Sequence, residues 1–265
     1  MSSENTRFLT KDNLDLYLKE LAKEYKRLCG KAMPAEIILV GGASVLANYG
    51  FRNMTTDVDA IIQASSAMKE AATRVGDKFG LPYGWVNANF MQTPSYSRKL
   101  VQHSTFYKSF SGVLDVRTIS AEYLIAMKLR SDRKYKHDLS DILGVLAEHQ
   151  KQGQPITMKE IRRAVIDLYG TWDDLPLNAQ KFIGDVMARG DFDQMYAEVC
   201  AEEQNDKTLL NIFEQAYPGV MNAQNVDSIL TNMKTRQPLI AQIREAQAKE
   251  QRSEESTRPD EDLQI

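Results

Sequence analysis

The sequence predicts an α/β protein in which a small mixed-sheet core with flanking helices is followed by an α-helical region. The sheet is indicated by short β-branched runs at 36–40 and 57–62 and by two strand-like runs on either side of Ser111-Gly112. The helical region is indicated by apolar residues that recur at steps of three and four through most of the chain after Ser120. Together these patterns favour one sheet-containing domain with helices added after it.

The N-terminal segment predicts a helix with one buried face. Five residues carry its apolar face: Leu14, Leu18, Leu21, Tyr25 and Leu28. Thr10 is a suitable N-cap for this helix, and Gly30 is suited to end it. The run at 36–40 then predicts a buried strand that ends at Gly41-Gly42.

The remaining elements of the α/β part follow in order along the chain. We predict a helix at 43–49, a strand at 57–62, a helix at 65–79, a short strand at 85–86, a loop at 87–98, and strands at 101–110 and 113–119. The last two strands flank Ser111-Gly112, which suits a hairpin turn.

The second half of the chain predicts helices separated by short turns. They are expected at 120–130, 139–146, from Thr157 onward, and at 176–189, 192–203, 207–217, 226–234 and 238–251. We therefore divide the chain into an α/β domain with an N-terminal helix at 1–150, a helical domain at 151–252 and a tail at 253–265. The tail is charged and polar and is expected to be disordered.

Composition narrows the class of protein. The chain has 265 residues and a net charge of -3, so it has no global basic signal for nucleic acid. Its two cysteines, Cys29 and Cys200, match no metal-binding spacing and are expected to be reduced thiols. No apolar run reaches the roughly 20 residues of a membrane span, and no signal peptide is evident. We therefore expect a cytoplasmic protein without a membrane partner.

Two carboxylates in the second strand are the first candidate site. Residues two apart in a strand point to the same face, so Asp57 and Asp59 are expected to lie side by side. Adjacent carboxylates repel each other unless a cation lies between them, and Mg²⁺ favours such oxygen ligands together with nucleotide phosphates. The alternative for a lone Asp-x-Asp is a solvated strand edge.

The turn at Gly41-Gly42 is the second candidate. A strand that ends in glycines and enters a helix leaves backbone N–H groups and a positive helix end for a phosphate. Ser44 is expected to add a hydroxyl donor, and Arg52 a phosphate contact. A lone Gly-Gly is ordinarily only a turn. The conjunction of strand, Gly-Gly, short helix and Thr-x-Asp-x-Asp strand is more specific.

This conjunction resembles the signature of the DNA polymerase β nucleotidyltransferase superfamily. Within it, the chain is most similar to the AbiEii-like toxin nucleotidyltransferases of bacterial abortive-infection and toxin–antitoxin systems. The residues that carry the likeness are Gly41-Gly42-Ala43-Ser44, Thr56-Asp57-Val58-Asp59, Lys128-Leu129 and the segment Lys136 to Ile142. The resemblance covers roughly residues 36–146, and Ser44 is displaced from the usual position of that serine.

The resemblance implies further site residues. Asp115, in a predicted strand, would supply a third metal-binding carboxylate, with a surface ion pair to Arg117 or Arg98 as the alternative. Lys128 would contact a phosphate, although a lysine in an apolar helix can also extend to solvent. Asp138 would approach the same cleft, the alternative being a surface pair with Arg133 or Lys134. The resemblance also places Thr56 among the nucleotide-binding residues.

Two weaker signals concern nucleic acid. The most basic stretch of the chain could hold an RNA backbone or be a solvated helix junction: Arg130, Arg133, Lys134, Lys136 and His137. Four aromatic residues could stack a base, although we expect most of them in the core: Trp85, Phe106, Tyr107 and Phe110.

The function that these signals favour is metal-dependent transfer of a nucleoside monophosphate from an NTP to a hydroxyl. Mg²⁺ or Mn²⁺ is the expected cofactor, and a tRNA 3′ end or a protein is the expected acceptor. The resemblance implies a toxin or phage-defence component with a cognate antitoxin. The alternative is a non-catalytic relative that kept the fold as an interaction module, either antitoxin-like or RNA-binding.

Overall fold

The computed structural model describes residues 8–131, 137–222 and 224–236. By internal contacts the chain divides into two compact units, Met1–Cys200 and Ala201–Ile265. The predicted helix at 238–251, the predicted tail, and Arg133, Lys134 and Lys136 of the basic stretch lie outside the described residues.

The first unit is built on a mixed sheet of five strands. The strands of the described chain are β1 (Leu9–Thr10), β2 (Ala35–Leu39), β3 (Met54–Thr55), β4 (Val58–Gln63), β5 (Val86–Asn87), β6 (Ser104–Phe110) and β7 (Leu114–Ile119). Their order in the main sheet is β5-β4-β2-β7-β6, and β1 pairs with β3 in a separate two-stranded sheet. The pairs β2–β7 and β4–β5 are parallel, whereas β2–β4 and β6–β7 are antiparallel. The fold is therefore the predicted mixed α/β core with a helical region after it.

Eight α-helices have named bounds within the described residues. They are α1 (Lys11–Cys29), α2 (Gly41–Asn48), α3 (Ala67–Phe79), α4 (Ala121–Ser131), α5 (Asp138–Lys151), α6 (Met158–Tyr169), α7 (Leu177–Arg189) and α8 (Phe192–Ala216). Residues 226–236 are also helical.

The central strand β2 has a hydrophobic core on each side. Ile37 and Leu39 pack on the side of α1 and α3, and Ile38 and Val40 on the side of α4 and α5. This alternation is the period-two pattern of a fully buried strand. The predicted N-terminal helix is confirmed as α1, where the backbone N–H of Thr10 donates to Asn13 Oδ1 at 2.8 Å.

Several boundaries differ from the prediction. The short helix begins at Gly41 itself rather than at 43. Residues 98–103 form a 3₁₀ helix, so strand β6 starts only at Ser104. Strands β1 and β3 were not predicted, because two-residue strands have no periodicity to detect.

The first unit extends beyond the boundary expected at residue 150. Helices α6 and α7 bury Ile161, Val165 and Ile183 in the same core as Ile125 and Leu129 of α4. A helix whose apolar face completes the core of the sheet domain is part of that domain.

The second unit contains the end of α8 and the helical residues 226–236. Two separate helices were expected over 192–217, but α8 is continuous through this range. Asp206, near the expected break, is buried and pairs with Lys234 Nζ at 2.7 Å. Helical Leu209, Leu210 and Leu230 are also buried, so this stretch has the packing of a helix interior.

Candidate functional site

The site begins where β2 and β4 meet. In this antiparallel pair Leu39 lies opposite Ala60, and the N–H of Val40 donates to the carbonyl of Asp59 at 3.0 Å. The end of β2 therefore lies beside the start of β4, and the glycine turn beside the carboxylates. A Cβ atom placed on Gly41 would be 3.9 Å from Asp59 Oδ2. Gly41 has a φ of 53°, a left-handed backbone angle that favours glycine.

Asp57 precedes β4 and is held by two polar side chains. It accepts hydrogen bonds from Thr56 Oγ1 at 3.3 Å and from Asn87 Nδ2 at 3.2 Å. Asn87 lies in β5, directly opposite Asp59 in the parallel pair. Both carboxylates are partly exposed and so accessible to a ligand.

Asn87 was missed by the sequence analysis, which assigned residues 87–98 to a loop. A run of two strand residues in a polar context gives little periodicity. The pairing of β5 with β4, which brings the Asn87 amide to Asp57, is visible only in the folded chain.

Gly42 provides room for two polar side chains at the start of α2. A Cβ atom placed there would lie 2.8 Å from both Arg52 Nη2 and Thr55 Oγ1, closer than such contacts normally come. The guanidinium of Arg52 therefore lies against the first turn of α2, which is the positive end of that helix. Its Nε atom donates to the carbonyl of Met54 at 3.0 Å.

A largely buried charge network stands behind this turn, and four of the described residues belong to it. Arg52 Nη1 pairs with Asp141 Oδ2, and Lys128 Nζ lies 2.7 Å from the same oxygen and 3.0 Å from Asp138 Oδ1. The side chains of Lys128, Asp138 and Asp141 are 7%, 2% and 3% exposed. Burial would lower the pKa of Lys128, but the neighbouring carboxylates of Asp141 and Asp138 outweigh it and raise that pKa. The lysine is therefore held as a cation.

The burial of this network argues against a surface position for Lys128 and Asp138, because both side chains are buried. Arg133 and Lys134, the alternative partners of Asp138, lie outside the described residues. The structure brings Lys128 and Asp138 to the side of the sheet core that carries α4 and α5. The positive charge of Lys128 is, however, already matched by Asp138 and Asp141, and Arg52 is the cation beside Gly42.

Two predicted site residues do not join the others. Asp115 lies opposite Glu36 in the parallel pair of β7 with β2, whereas Asp59 is adjacent to Val40. Four strand residues span roughly 13 Å, so Asp115 is at the other end of the sheet, where it is exposed. Ser44 is 0% exposed within α2, so its hydroxyl is closed off from a nucleotide. The predicted roles of both residues are therefore not supported.

The donors around Asp57 and Asp59 fit a hard divalent cation. Mg²⁺ is ordinarily bound by one or two carboxylates, water and the phosphates of its substrate. Asp57 and Asp59 supply two oxygen-donor groups at a partly open surface, and Asn87 lies beside them. Among the described residues no group of three or more His, Cys, Asp or Glu side chains has metal-binding geometry. A cation here would therefore depend on phosphate oxygens to complete its ligands.

Comparison with protein families agrees with this geometry. Residues 17–148 match the family model described as "Nucleotidyltransferase of unknown function (DUF6036)". The matched segment contains the glycine turn, the carboxylate pair and the network of Arg52, Lys128, Asp138 and Asp141. The match supports a nucleotidyltransferase family for this chain.

The other comparisons add no relative. Searches against curated proteins and against solved structures gave no match. Within the described part of the chain, no helix has the combined length and apolar character that crossing a membrane requires.

Proposed function

We propose that the chain transfers a nucleoside monophosphate from an NTP to a hydroxyl acceptor. The observation that carries the proposal is the position of Gly41 close to Asp59, which places a helix N-terminus suited to phosphate beside a carboxylate suited to a metal. The family match is the independent support for a nucleotidyltransferase.

Each part of the site has a distinct role in this proposal. The N–H groups at the start of α2, with Arg52 and Thr56, bind the phosphates of the NTP. Asp57 and Asp59 would hold Mg²⁺ or Mn²⁺, which would neutralise phosphate charge and favour the ionised acceptor hydroxyl. Asn87 holds the carboxylate of Asp57 in place.

The buried network acts by positioning. Its described members are two cations and two carboxylates, whose formal charges balance. Asp141 anchors the guanidinium of Arg52, whose Nη2 atom lies over Gly42. Lys128 in turn holds Asp141 and Asp138 together. A fixed cation at a phosphate site needs no rearrangement during the reaction.

The proposed reaction is a substitution at the α-phosphorus. The acceptor oxygen forms a new bond to that phosphorus, the bond to the β-phosphate oxygen breaks, and pyrophosphate leaves. The acceptor proton passes to solvent or to a nearby base. A tRNA 3′ end or a protein hydroxyl is the acceptor that we propose, in a toxin or phage-defence component with a cognate antitoxin, as the resemblance to AbiEii-like proteins implies.

The proposal is tested by incubating the purified chain with each α-labelled NTP, Mg²⁺ or Mn²⁺, and either total tRNA or cell protein. We expect label in one macromolecular fraction, and its loss in Asp57→Asn and Asp59→Asn. Asp115→Asn is the matched control, because this carboxylate is exposed at the other end of the sheet. No transfer with any NTP, or equal loss in the control, would overturn the proposal.

A second candidate is a nucleotide-binding relative without transfer activity. It is favoured by the fact that the third expected carboxylate, Asp115, lies at the other end of the sheet. Such a protein would bind NTPs at the same turn and serve as an interaction module. Saturable NTP binding without any transfer in the assay above would select this candidate.

A further inference from the structure

A cavity of about 830 Å³ lies next to the carboxylate pair. Its walls come from α3 and from residues 81–89, the segment that includes β5. Asp57 and Thr56 form part of its lining, whereas Gly41, Gly42 and Asp59 do not. The cavity is thus a separate compartment that meets the proposed phosphate site at Asp57.

The walls combine apolar surface with a few polar groups. Met68, Ala72 and Val86 supply apolar surface, and Thr56, Asn87 and Asn89 supply hydrogen-bonding groups: these six residues all line the cavity. Ligand sites of about 300–1,000 Å³ are typically apolar with a few placed polar groups, and this cavity falls within that range.

One wall is held rigidly. Trp85 Nε1 donates to the carbonyl of Ala72 at 2.9 Å, which fixes the indole to the backbone of α3. Gly76 lets the helix approach the ring, since a Cβ atom there would lie 3.3 Å from Trp85 Cδ1. A wall that is already fixed loses little conformational freedom when a ligand binds.

The rim carries an aromatic side chain that nothing covers in the described structure. Tyr83 lines the cavity and is 91% exposed. An exposed aromatic beside a polar-rimmed cavity is suited to stack on a heterocyclic base. Lys69 of the same lining is also exposed and adds a cation at the rim.

We infer that this cavity binds a nucleoside, either that of the NTP or the terminal nucleoside of an RNA acceptor. The inference rests on the proposed function in one respect: that function places the phosphates of the nucleotide near Asp57. Binding of the nucleoside itself requires no transfer activity. Both sources present the same chemistry, a planar base with ribose hydroxyls.

The test uses Trp85 as the reporter. The chain has two tryptophans, so Trp172→Phe leaves Trp85 alone in the fluorescence signal. Adenosine, cytidine, guanosine and uridine are titrated without metal. Because nucleosides carry no phosphate, neither phosphate nor metal contributes to the binding that is measured. We expect saturable quenching by at least one nucleoside, weakened about fivefold by Tyr83→Ala through loss of stacking. Ala72→Phe, which fills the cavity, should abolish the binding.

The matched control is Tyr217→Ala, which removes a tyrosine that is 58% exposed and remote in sequence. It should leave the titration unchanged. Quenching by no nucleoside, or equal binding in Tyr83→Ala and the parent, would overturn the inference. If Ala72→Phe fails to fold, the Tyr83→Ala titration alone decides.

Steady-state transfer separates the two sources. A higher KM for NTP in Tyr83→Ala places the nucleotide substrate in the cavity, and a higher KM for RNA alone places the acceptor there. Nucleoside binding by a chain that transfers nothing would sink the proposed function but not this inference. Transfer with both KM values unchanged in Tyr83→Ala would overturn this inference and leave the proposed function standing.

Discussion

The ring of Phe51 lies against the backbone of Gly144 in α5, so closely that a Cβ atom on Gly144 would be 2.5 Å from Phe51 Cε2. Gly144 follows Asp141 on α5 by three residues, and Phe51 directly precedes Arg52. The aromatic ring therefore fixes the approach of the two segments whose charged side chains pair.

Gly144→Ala is expected to destabilise the protein by about 1–3 kcal/mol, because the added methyl displaces the ring in a packed core. It should also reduce nucleotide transfer, since Arg52 moves with Phe51. Gly184→Ala is the control: this helical glycine is exposed, and a Cβ atom placed on it would have nothing within 4 Å. Alanine there should stabilise by up to about 1 kcal/mol. Urea unfolding measures both, and equal effects would contradict the packing argument.

Gly42→Ala is expected to abolish NTP binding at moderate cost to stability. Its methyl would meet both Arg52 Nη2 and Thr55 Oγ1 at 2.8 Å, so the guanidinium must leave the start of α2. Calorimetric titration with NTP and Mg²⁺ measures the affinity. Gly50→Ala, with open space around the new methyl, should bind NTP as the parent does. Parent-like affinity in Gly42→Ala would show that Arg52 is not a phosphate ligand.

Lys128→Met is expected to destabilise the protein by about 3–5 kcal/mol, because it removes the buried cation that pairs with both Asp138 and Asp141. Arg189→Ala breaks pairs in which the side chains are 42–51% exposed, and should cost at most about 1 kcal/mol. Thermal or urea unfolding separates the two. A small effect of Lys128→Met would show that the network contributes little to folding.

Glu20 of α1 gives a pH-dependent prediction. Hydrogen bonds from Lys23 and from Lys78 of α3 lower the pKa of this carboxyl to about 2. Because the folded pKa lies below the ordinary 4.5, the stabilisation is fully present above that value and is lost as the pH falls toward about 2. The difference in Tm between the parent and Glu20→Gln should therefore become smaller as the pH is lowered from 4.5 toward about 2. A difference that stays constant with pH would contradict the assignment.

The local parts of the site could be predicted from the sequence. A strand, two glycines and a short helix occur within one stretch, and Asp57 and Asp59 share a face through the two-residue period of a strand. These features depend only on residues close together in the chain, so the sequence pattern is enough to predict them. The pairing of β2 with β4, which brings Gly41 close to Asp59, joins residues distant in the sequence and is seen only in the folded chain.

The expected site residues that lie elsewhere in the structure are those whose positions depend on the direction of a strand or the start of a helix. A strand pattern is the same whether β7 runs parallel or antiparallel to β2, and that choice alone decides at which end of the sheet Asp115 lies. Ser44 failed for a related reason: the helix starts two residues earlier than predicted, and its serine is turned into the core. Neither the cavity nor the rim position of Tyr83 has a signature in a single sequence.

The short pairing of β1 with β3 ties the beginning of the described chain to the site. Leu9 lies opposite Thr55, and the Thr55 hydroxyl lies against Gly42 and donates to the carbonyl of Asp57 at 3.3 Å. Trimming by a protease, or a bulky tag fused close before Leu9, is therefore expected to disturb the glycine turn and the proposed phosphate site as well as solubility or yield. Recombinant versions of this protein are best tagged with a spacer that leaves Leu9 and Thr10 free to pair.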